Sequence, residues 1–414
     1  MKEKSNNLHW PEGELTRVPY WVYQEESVRS LEQERLFEGK SWNYLCMDIE
    51  LVSPGDWLTT FVGEMPVVVS RDLTGDLCAF ENRCAHRGAL ICLDSAGKVA
   101  EDGRLTCAYH NWTYDLQGNL KSIAFQRGVR GQGGMPDTFS LNEHGPRKLR
   151  VTVLCGMVFG TLSDDTPSIE EYLGEEVLAR VRRVLHKPVV ITGRVTQALP
   201  NNWKLYFENV KDSYHASLLH LFLTTFQLNR LTQPGGLIVS PDGGHHVSYS
   251  YFDKANKANV EYNSEGLRSS SGYQLEDMRM LDVCDEFGDG IMTQILSIFP
   301  GTVLQQVQNT IAVRQVLPRS QHLTHLHWTF LGFSDDSPEM KQRRKLQANM
   351  IGPAGFVSLE DGAIGGFVQR AIGTAPGKSG VVEMGGGSVT STETRATEAA
   401  VRGFWKAWRR IVAL

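Results

Sequence analysis

No run of this 414-residue chain stays apolar for the ~20 residues a helix needs to cross a bilayer. The opening MKEKSNNLHWPEGE also lacks the apolar stretch of a secretory signal. Both absences lead us to expect a cytoplasmic protein that leaves the membrane alone. A basic excess is missing too. With 42 lysines and arginines against 47 aspartates and glutamates, the net charge of −5 offers nucleic acid no electrostatic footprint. No intact G-x-G-x-x-G follows a strand-like run, and the nearest match, RGQGGMP at 130–136, lacks the third glycine. The chain is therefore not expected to bind its own nicotinamide or flavin. There is no internal repeat. Hydrophobic and charged fractions of 41% and 21% are ordinary, so the chain reads as globular and long enough for two or three domains. Cysteine is sparse. Cys46, Cys78, Cys92, Cys155 and Cys284 are odd in number and scattered, which suits reduced, mostly buried thiols rather than a disulfide framework.

The other two cysteines belong to a pattern. Cys84 and His86 form C-x-H, and after twenty intervening residues Cys107 and His110 form C-x-x-H. Two thiolates and two imidazoles on two short loops are what a Rieske [2Fe–2S] centre requires. The cysteines hold one iron, and the histidines replace thiolates on the other and raise its potential. The rival is a structural zinc site, but such sites usually group cysteines with cysteines and histidines with histidines. Here each loop mixes the two. Arg87 and Gly88 follow the first histidine, and Trp112 lies two residues after the second. Gly88 would let backbone N–H groups turn toward the cluster sulfides, and Trp112 would shield it from water.

Residues 24–40 carry Val28, Leu31, Leu36 and Phe37 among charges, which predicts one amphipathic helix. From about Trp42 to Leu162 the texture becomes short and β-rich. PVVVS (66–70) and LCAFEN (77–82) flank the turn sequence DLTGD, and 148–162 reads as two strands broken near Gly156. The cluster loops are expected at hairpin tips of a small β domain. The polar SDDTPS (163–168) suggests a boundary, and Ser168 with Glu171 makes a capping-box pattern. Beyond it, helical stretches alternate with strand-like runs at 245–251, 302–317 and 325–333. That alternation implies an α+β domain. Residues 375–394, rich in Gly, Ser and Thr, read as a mobile loop before a closing helix near 396–411.

An electron carrier needs an acceptor, and NNWKLYFENVKDSYHASLLHLF (201–222) offers one. Asn201 or Asn202 can cap a helix; Phe207, Val210, Tyr214 and Leu218 follow helical spacing toward a core, while Glu208, Asp212 and His215 share another face. His220 lies five residues after His215, about 140° around an ideal helix. Two such imidazoles meet one ion only if a bulge, bend or helix end intervenes. The spacing excludes an H-E-x-x-H zinc site. It suits two histidines joined by a remote carboxylate, the facial triad of non-haem Fe(II) oxygenases.

The segment N-W-K-x-x-x-E-N, then D-x-x-H-x-x-x-x-H, preceded by the two cluster motifs, resembles the catalytic α subunit of Rieske non-haem iron aromatic-ring-hydroxylating oxygenases. The resemblance covers essentially the whole chain. It implies an α+β protein: an all-β Rieske [2Fe–2S] domain at 42–165 and a helix-grip catalytic domain at 166–414, an antiparallel sheet around a long helix. Residues 1–41 would be a helical segment packing on the catalytic domain. The twenty residues between His86 and Cys107 exceed the usual spacing, with LDSAGKVAEDGR expected to lengthen a hairpin. The resemblance also supplies the third ligand of the mononuclear iron. GPAGFVSLEDG (352–362) matches the segment contributing it, and the resemblance places the ligand on Asp361 rather than Glu360, beside His215 and His220. Asp212 would link His110 of one subunit to His215 of its neighbour, making a ring-shaped trimer the working form.

RCAHRGAL, RGVRGQGGMP, GGHHVSYS and RATE…VRGFWKA resemble the branch acting on aromatic carboxylates. A ring with a carboxylate at each end needs two cationic anchors, for which the planar fork of arginine is suited. The resemblance assigns Arg314 and Arg395 to that task. It implies cis-dihydroxylation of an aromatic carboxylate, terephthalate foremost, with O2 and electrons from a separate NADH-dependent reductase. A small β subunit would complete an α3β3 assembly. Salicylate hydroxylation or anthranilate dioxygenation is the near alternative, and a non-catalytic Rieske electron carrier the distant one.

Overall fold

The computed structural model describes residues 8–11, 14–100, 102–226, 228–252 and 275–414. The chain divides into two compact units, Phe37–Ile169 and the remainder on either side of it. No helix among the described residues is long and apolar enough to cross a membrane.

The unit Phe37–Ile169 is built on strands. A seven-stranded antiparallel sheet runs Asn43–Met47, Met157–Thr161, Lys148–Leu154, Leu77–Glu81, Met65–Arg71, Asp56–Val62, Ala96–Lys98. A smaller sheet holds Arg104–Thr106, Thr113–Asp115 and Leu120–Ser122. The run Val67–Val69 is buried on both faces, as its β-branched side chains favour. DLTGD turns the chain because Asp72 Oδ1 accepts the backbone N–H groups of Thr74 (2.9 Å) and Asp76 (3.0 Å). Cys155 and Gly156, with φ of 50° and 81°, close the tight hairpin between Lys148–Leu154 and Met157–Thr161. One expectation needs correction. LDSAGKVAEDGR makes no hairpin of its own, since Ala96–Lys98 pairs with Asp56–Val62 while Arg104–Thr106 pairs with Thr113–Asp115. The extra residues carry the chain from one sheet to the other.

The second unit is α+β. Seven antiparallel strands run Val189–Leu199, Leu323–Phe333, Thr310–Ser320, Thr302–Val307, Ile291–Ile298, His246–Tyr251, Gly235–Val239. The helix Trp203–Lys211 packs against Phe356–Ile372 and against Ala399–Val412, and all three pack on this sheet. The run 302–317 is two strands, because Gln308 takes a left-handed φ of 55° and turns the chain. The segment 375–394 is more tied down than its composition suggests. Ser379–Val381 pairs with Arg17–Pro19, and Thr392 bridges Leu237. The helix over 24–40 starts as α at Glu26–Leu31 and continues as a π-helix at Glu32–Phe37. Its buried Glu32 accepts hydrogen bonds from Trp203 Nε1 (2.9 Å) and Trp408 Nε1 (2.7 Å) and pairs with Lys204 Nζ at 2.8 Å. A buried charge pair of this kind holds only while both partners are present.

Candidate active site

The two cluster loops share one construction. Cys84 N–H donates to Ala89 O (2.7 Å) and Gly88 N–H to Cys84 O (2.9 Å); Cys107 N–H donates to Trp112 O (2.9 Å) and Asn111 N–H to Cys107 O (3.0 Å). In each, the residue four after the cysteine is left-handed, with φ of 73° at Gly88 and 53° at Asn111. Gly88 therefore serves to close its loop, and its own N–H is spent on Cys84 rather than freed toward sulfide. The Cys107 loop is a hairpin tip; the Cys84 loop instead joins strands that do not pair with each other.

The cysteines are 3% and 1% exposed, within a core that includes Phe80, Trp112 and Tyr114. The histidines lie outward, with His86 Nδ1 and His110 Nδ1 3.1 Å apart. Trp112 stacks on His86 at 4.8 Å and 6°. Tyr114 Oη donates to Cys84 Sγ at 3.1 Å and accepts Ala85 N–H at 3.0 Å. Sulfur ligands inside, imidazoles toward the surface and a hydroxyl donor on one sulfur fit a cluster of this type.

In the other unit, the helix Trp203–Lys211 stops at Asp212, whose ψ of 99° leaves the α region. Asp212 Oδ1 then accepts the N–H groups of Tyr214 (2.8 Å) and His215 (3.4 Å). His220 lies between the short helices Ala216–Leu219 and Leu221–Thr225, with ψ of 84°. These two breaks bring together imidazoles that a regular helix would separate. They also part Glu208 from the site: it accepts from Tyr23 Oη (2.8 Å) and from Trp405 Nε1.

His215, His220 and Asp361 converge, with one ligand atom from each within 4.8 Å of the others. A carboxylate can only accept, so His215 Nδ1 donates to Asp212 Oδ2 (3.2 Å) and His220 Nδ1 donates to Glu360 Oε2 (2.9 Å). The Nε2 lone pairs then face Asp361 Oδ1, at 3.4 Å and 3.3 Å. Three acceptors aimed at one point repel unless a cation sits among them. Burial opposes charge on His215, yet Asp212 and Asp361 push its pKa up to about 10. Burial likewise raises Asp361, but the histidines outweigh it and hold the carboxyl low. The set favours positive charge, which a divalent metal would supply, and three protein ligands would leave coordination positions open. Glu360, passed over in favour of Asp361 as the third ligand, instead holds His220, a role the sequence did not show because that partner is remote. Asn209 was likewise missed; its Nδ2 lies 3.2 Å from Asp361 Oδ1.

One cavity takes in the triad, Arg314 and Arg395 together. Val210, Leu223, Ile295, Val307 and Trp328 give it apolar walls. Arg314 Nη1 donates to Tyr206 Oη at 2.6 Å, and its guanidinium lies 4.9 Å from the Trp328 ring centre. Its buried Nε has no acceptor among the described residues. Arg395 Nη1 donates to Asn229 Oδ1 at 2.8 Å and Nη2 to the Arg230 carbonyl. These contacts fix both guanidiniums in orientation. Asp212 and His215 also line a second, more open depression with Leu219, Val368 and Val382.

Comparison with known proteins agrees with this geometry. Residues 41–131 match the family profile of the Rieske [2Fe-2S] domain, and 178–414 match that of the ring hydroxylating alpha subunit, catalytic domain. The chain is 56% identical over 404 residues to a terephthalate 1,2-dioxygenase, terminal oxygenase component subunit alpha 2, of Comamonas sp., covering 97% of both chains. It is 39% identical to the anthranilate 1,2-dioxygenase large subunit of Burkholderia cepacia, covering 99% of this chain and 97% of that one. The fold is similar to naphthalene 1,2-dioxygenase from Rhodococcus sp., with a TM-score of 0.77, 20% identity, and coverage of 96% and 94%.

Proposed function

The chain belongs to the Rieske ring-hydroxylating oxygenase α subunits, and from that premise we propose that it cis-dihydroxylates terephthalate as part of a terminal oxygenase. The balance is terephthalate, O2, NADH and one proton giving the ring cis-dihydrodiol and NAD+, with the hydride oxidised outside this chain by a separate reductase. The observation that carries the substrate is the pair Arg314 and Arg395 in the cavity that also holds His215, His220 and Asp361. Two fixed cations suit a dianion, and apolar walls suit the flat ring between its carboxylates. The relative named for terephthalate supports the same reading.

Cys84, His86, Cys107 and His110 would hold the [2Fe–2S] cluster, and His215, His220 and Asp361 the mononuclear Fe(II). Together these groups supply single-electron delivery and O2 activation when bound. The chain's own residues do the remainder. Arg314 and Arg395 bind the carboxylates and hold one ring edge toward the triad. Trp328 and Ile295 keep water from the ring. Asp212 and Glu360 fix each imidazole so that Nε2 points inward.

Asp212 also opens onto the second depression. That position suits a link from His110 of the partner subunit to His215, so the functional unit is a trimer, completed as α3β3 by a small β subunit. A panel of terephthalate, benzoate, salicylate, anthranilate and the other phthalates tests the substrate through dependent NADH and O2 consumption. Terephthalate is expected to give the highest kcat/KM; preference for anthranilate or salicylate overturns the two-anchor reading.

A further inference from the structure

We propose that Gln305 is the second half of the carboxylate anchor built on Arg314, and so helps set which aromatic acids the cavity accepts. This rests on the proposed role of Arg314 and deepens it. Gln305 lies within strand Thr302–Val307, is 1% exposed and lines the cavity. Its amide nitrogen nonetheless meets no acceptor among the described residues. Its neighbour Gln306, on the opposite face of the same strand, shows what a structural glutamine does here. Gln306 Nε2 donates to the carbonyls of Ile291 (3.2 Å), Met292 (3.2 Å) and Gln308 (2.8 Å). A buried donor that the protein leaves unmet costs stability, and an acceptor entering the cavity offsets that loss.

The register says where that acceptor sits. Gln305 lies directly opposite Ala312, and Ala312 precedes Arg314 by two residues on the same strand. Residues two apart share a sheet face, so Gln305, Ala312 and Arg314 all point the same way. Such diagonal neighbours are ~7–8 Å apart, a gap that two long side chains close upon a common ligand.

An ionised carboxylate offers two oxygens and about four acceptor sites. Arg314, already donating to Tyr206, pairs with a carboxylate at most bidentately, which leaves acceptor sites on the far side of the oxygens unmet. The amide of Gln305 adds a donor from the adjacent strand. Being neutral, it discriminates by hydrogen bonding rather than by charge, and an ester or methyl group in place of the carboxylate leaves it unmet.

Purified holoenzyme variants, with terephthalate as the probe, test this. Gln305→Met keeps the size and removes the donor; Gln305→Glu replaces it with a like charge. Thermal protection by terephthalate gives the apparent Kd, and turnover gives KM and kcat. Gln305→Met is expected to weaken binding and raise KM roughly tenfold to a hundredfold, the range for losing a hydrogen bond to a charged group. Its ligand-free Tm should not fall, because an unmet amide has been removed. Gln305→Glu should weaken binding further. If Arg314→Met loses terephthalate binding while Gln305→Met stays within twofold of wild type, Gln305 is no part of the anchor and the arginine reading stands. If Arg314→Met also binds normally, or wild type does not bind terephthalate, the substrate reading fails and this inference with it.

Discussion

Replacing Arg314 by methionine separates a dicarboxylate substrate from a monocarboxylate one. Methionine keeps an apolar stem beside Trp328, so the loss is chiefly that of the guanidinium. Removing one member of a buried, hydrogen-bonded charge pair costs about 3–5 kcal/mol. In the free protein the guanidinium donates to Tyr206 Oη and lies over the Trp328 face, with no carboxylate hydrogen-bonded to it among the described residues. Deleting it therefore relieves part of a burial cost, which moves the expected net loss to the lower end, about 3 kcal/mol. At about 1.4 kcal/mol per decade, kcat/KM for terephthalate should fall roughly 10²-fold. Benzoate carries one carboxylate and can use Arg395, so its kcat/KM should fall several-fold at most. Initial rates of O2 uptake with each acid give the comparison. Equal falls for both would refute the idea that the two arginines hold opposite ends of one ring.

Glu360→Ala frees His220 Nδ1 and should weaken iron retention by the mononuclear site about 10- to 100-fold, read as iron lost to a competing chelator, with the cluster's absorption unchanged. Asp212→Ala should weaken iron retention in the same way, and with the mononuclear site reloaded by excess iron it should still lack substrate-dependent turnover; stopped-flow reoxidation of the reduced cluster at the wild-type rate would sink the proposed electron path. Burial lifts the carboxyl of Glu208 from 4.5 to about 7, against the hydrogen bonds from Tyr23 and Trp405 that favour its charge. A carboxyl raised on folding stabilises the fold fully below its unfolded pKa, and that contribution shrinks as pH rises to the folded one. Stability should therefore drop by about 3 kcal/mol between about pH 4.5 and 7, and Glu208→Gln should flatten the drop in urea titrations.

The cluster loops were legible in the sequence because both ligands of each loop are near neighbours and the mixed Cys/His pairing is rare outside this chemistry. The strands around them were legible too, through short β-branched runs and turn residues. The insertion before Cys107 was misread, since strand pairing is decided by partners distant in sequence. At the second site, the five-residue spacing of His215 and His220 showed that the helix had to break. It could not show that Asp212 would end it by capping the next turn, nor that Glu208 would turn away to Tyr23 and Trp405. Asp361 came from resemblance alone, because nothing local to it marks a meeting with histidines far upstream. Glu360 and Gln305 were out of reach for the same reason. Each acquires its chemical meaning from a neighbour supplied by the tertiary fold, His220 in one case and the face shared with Arg314 in the other.

The most direct test of the proposed reaction is a single turnover of the loaded oxygenase. Enzyme carrying both metal centres is reduced chemically, then mixed with terephthalate and ¹⁸O2, and the product is analysed by mass spectrometry. A cis-dihydrodiol bearing two labelled atoms is expected. A singly labelled phenol, or oxidation of the reduced enzyme with terephthalate recovered unchanged, would contradict it.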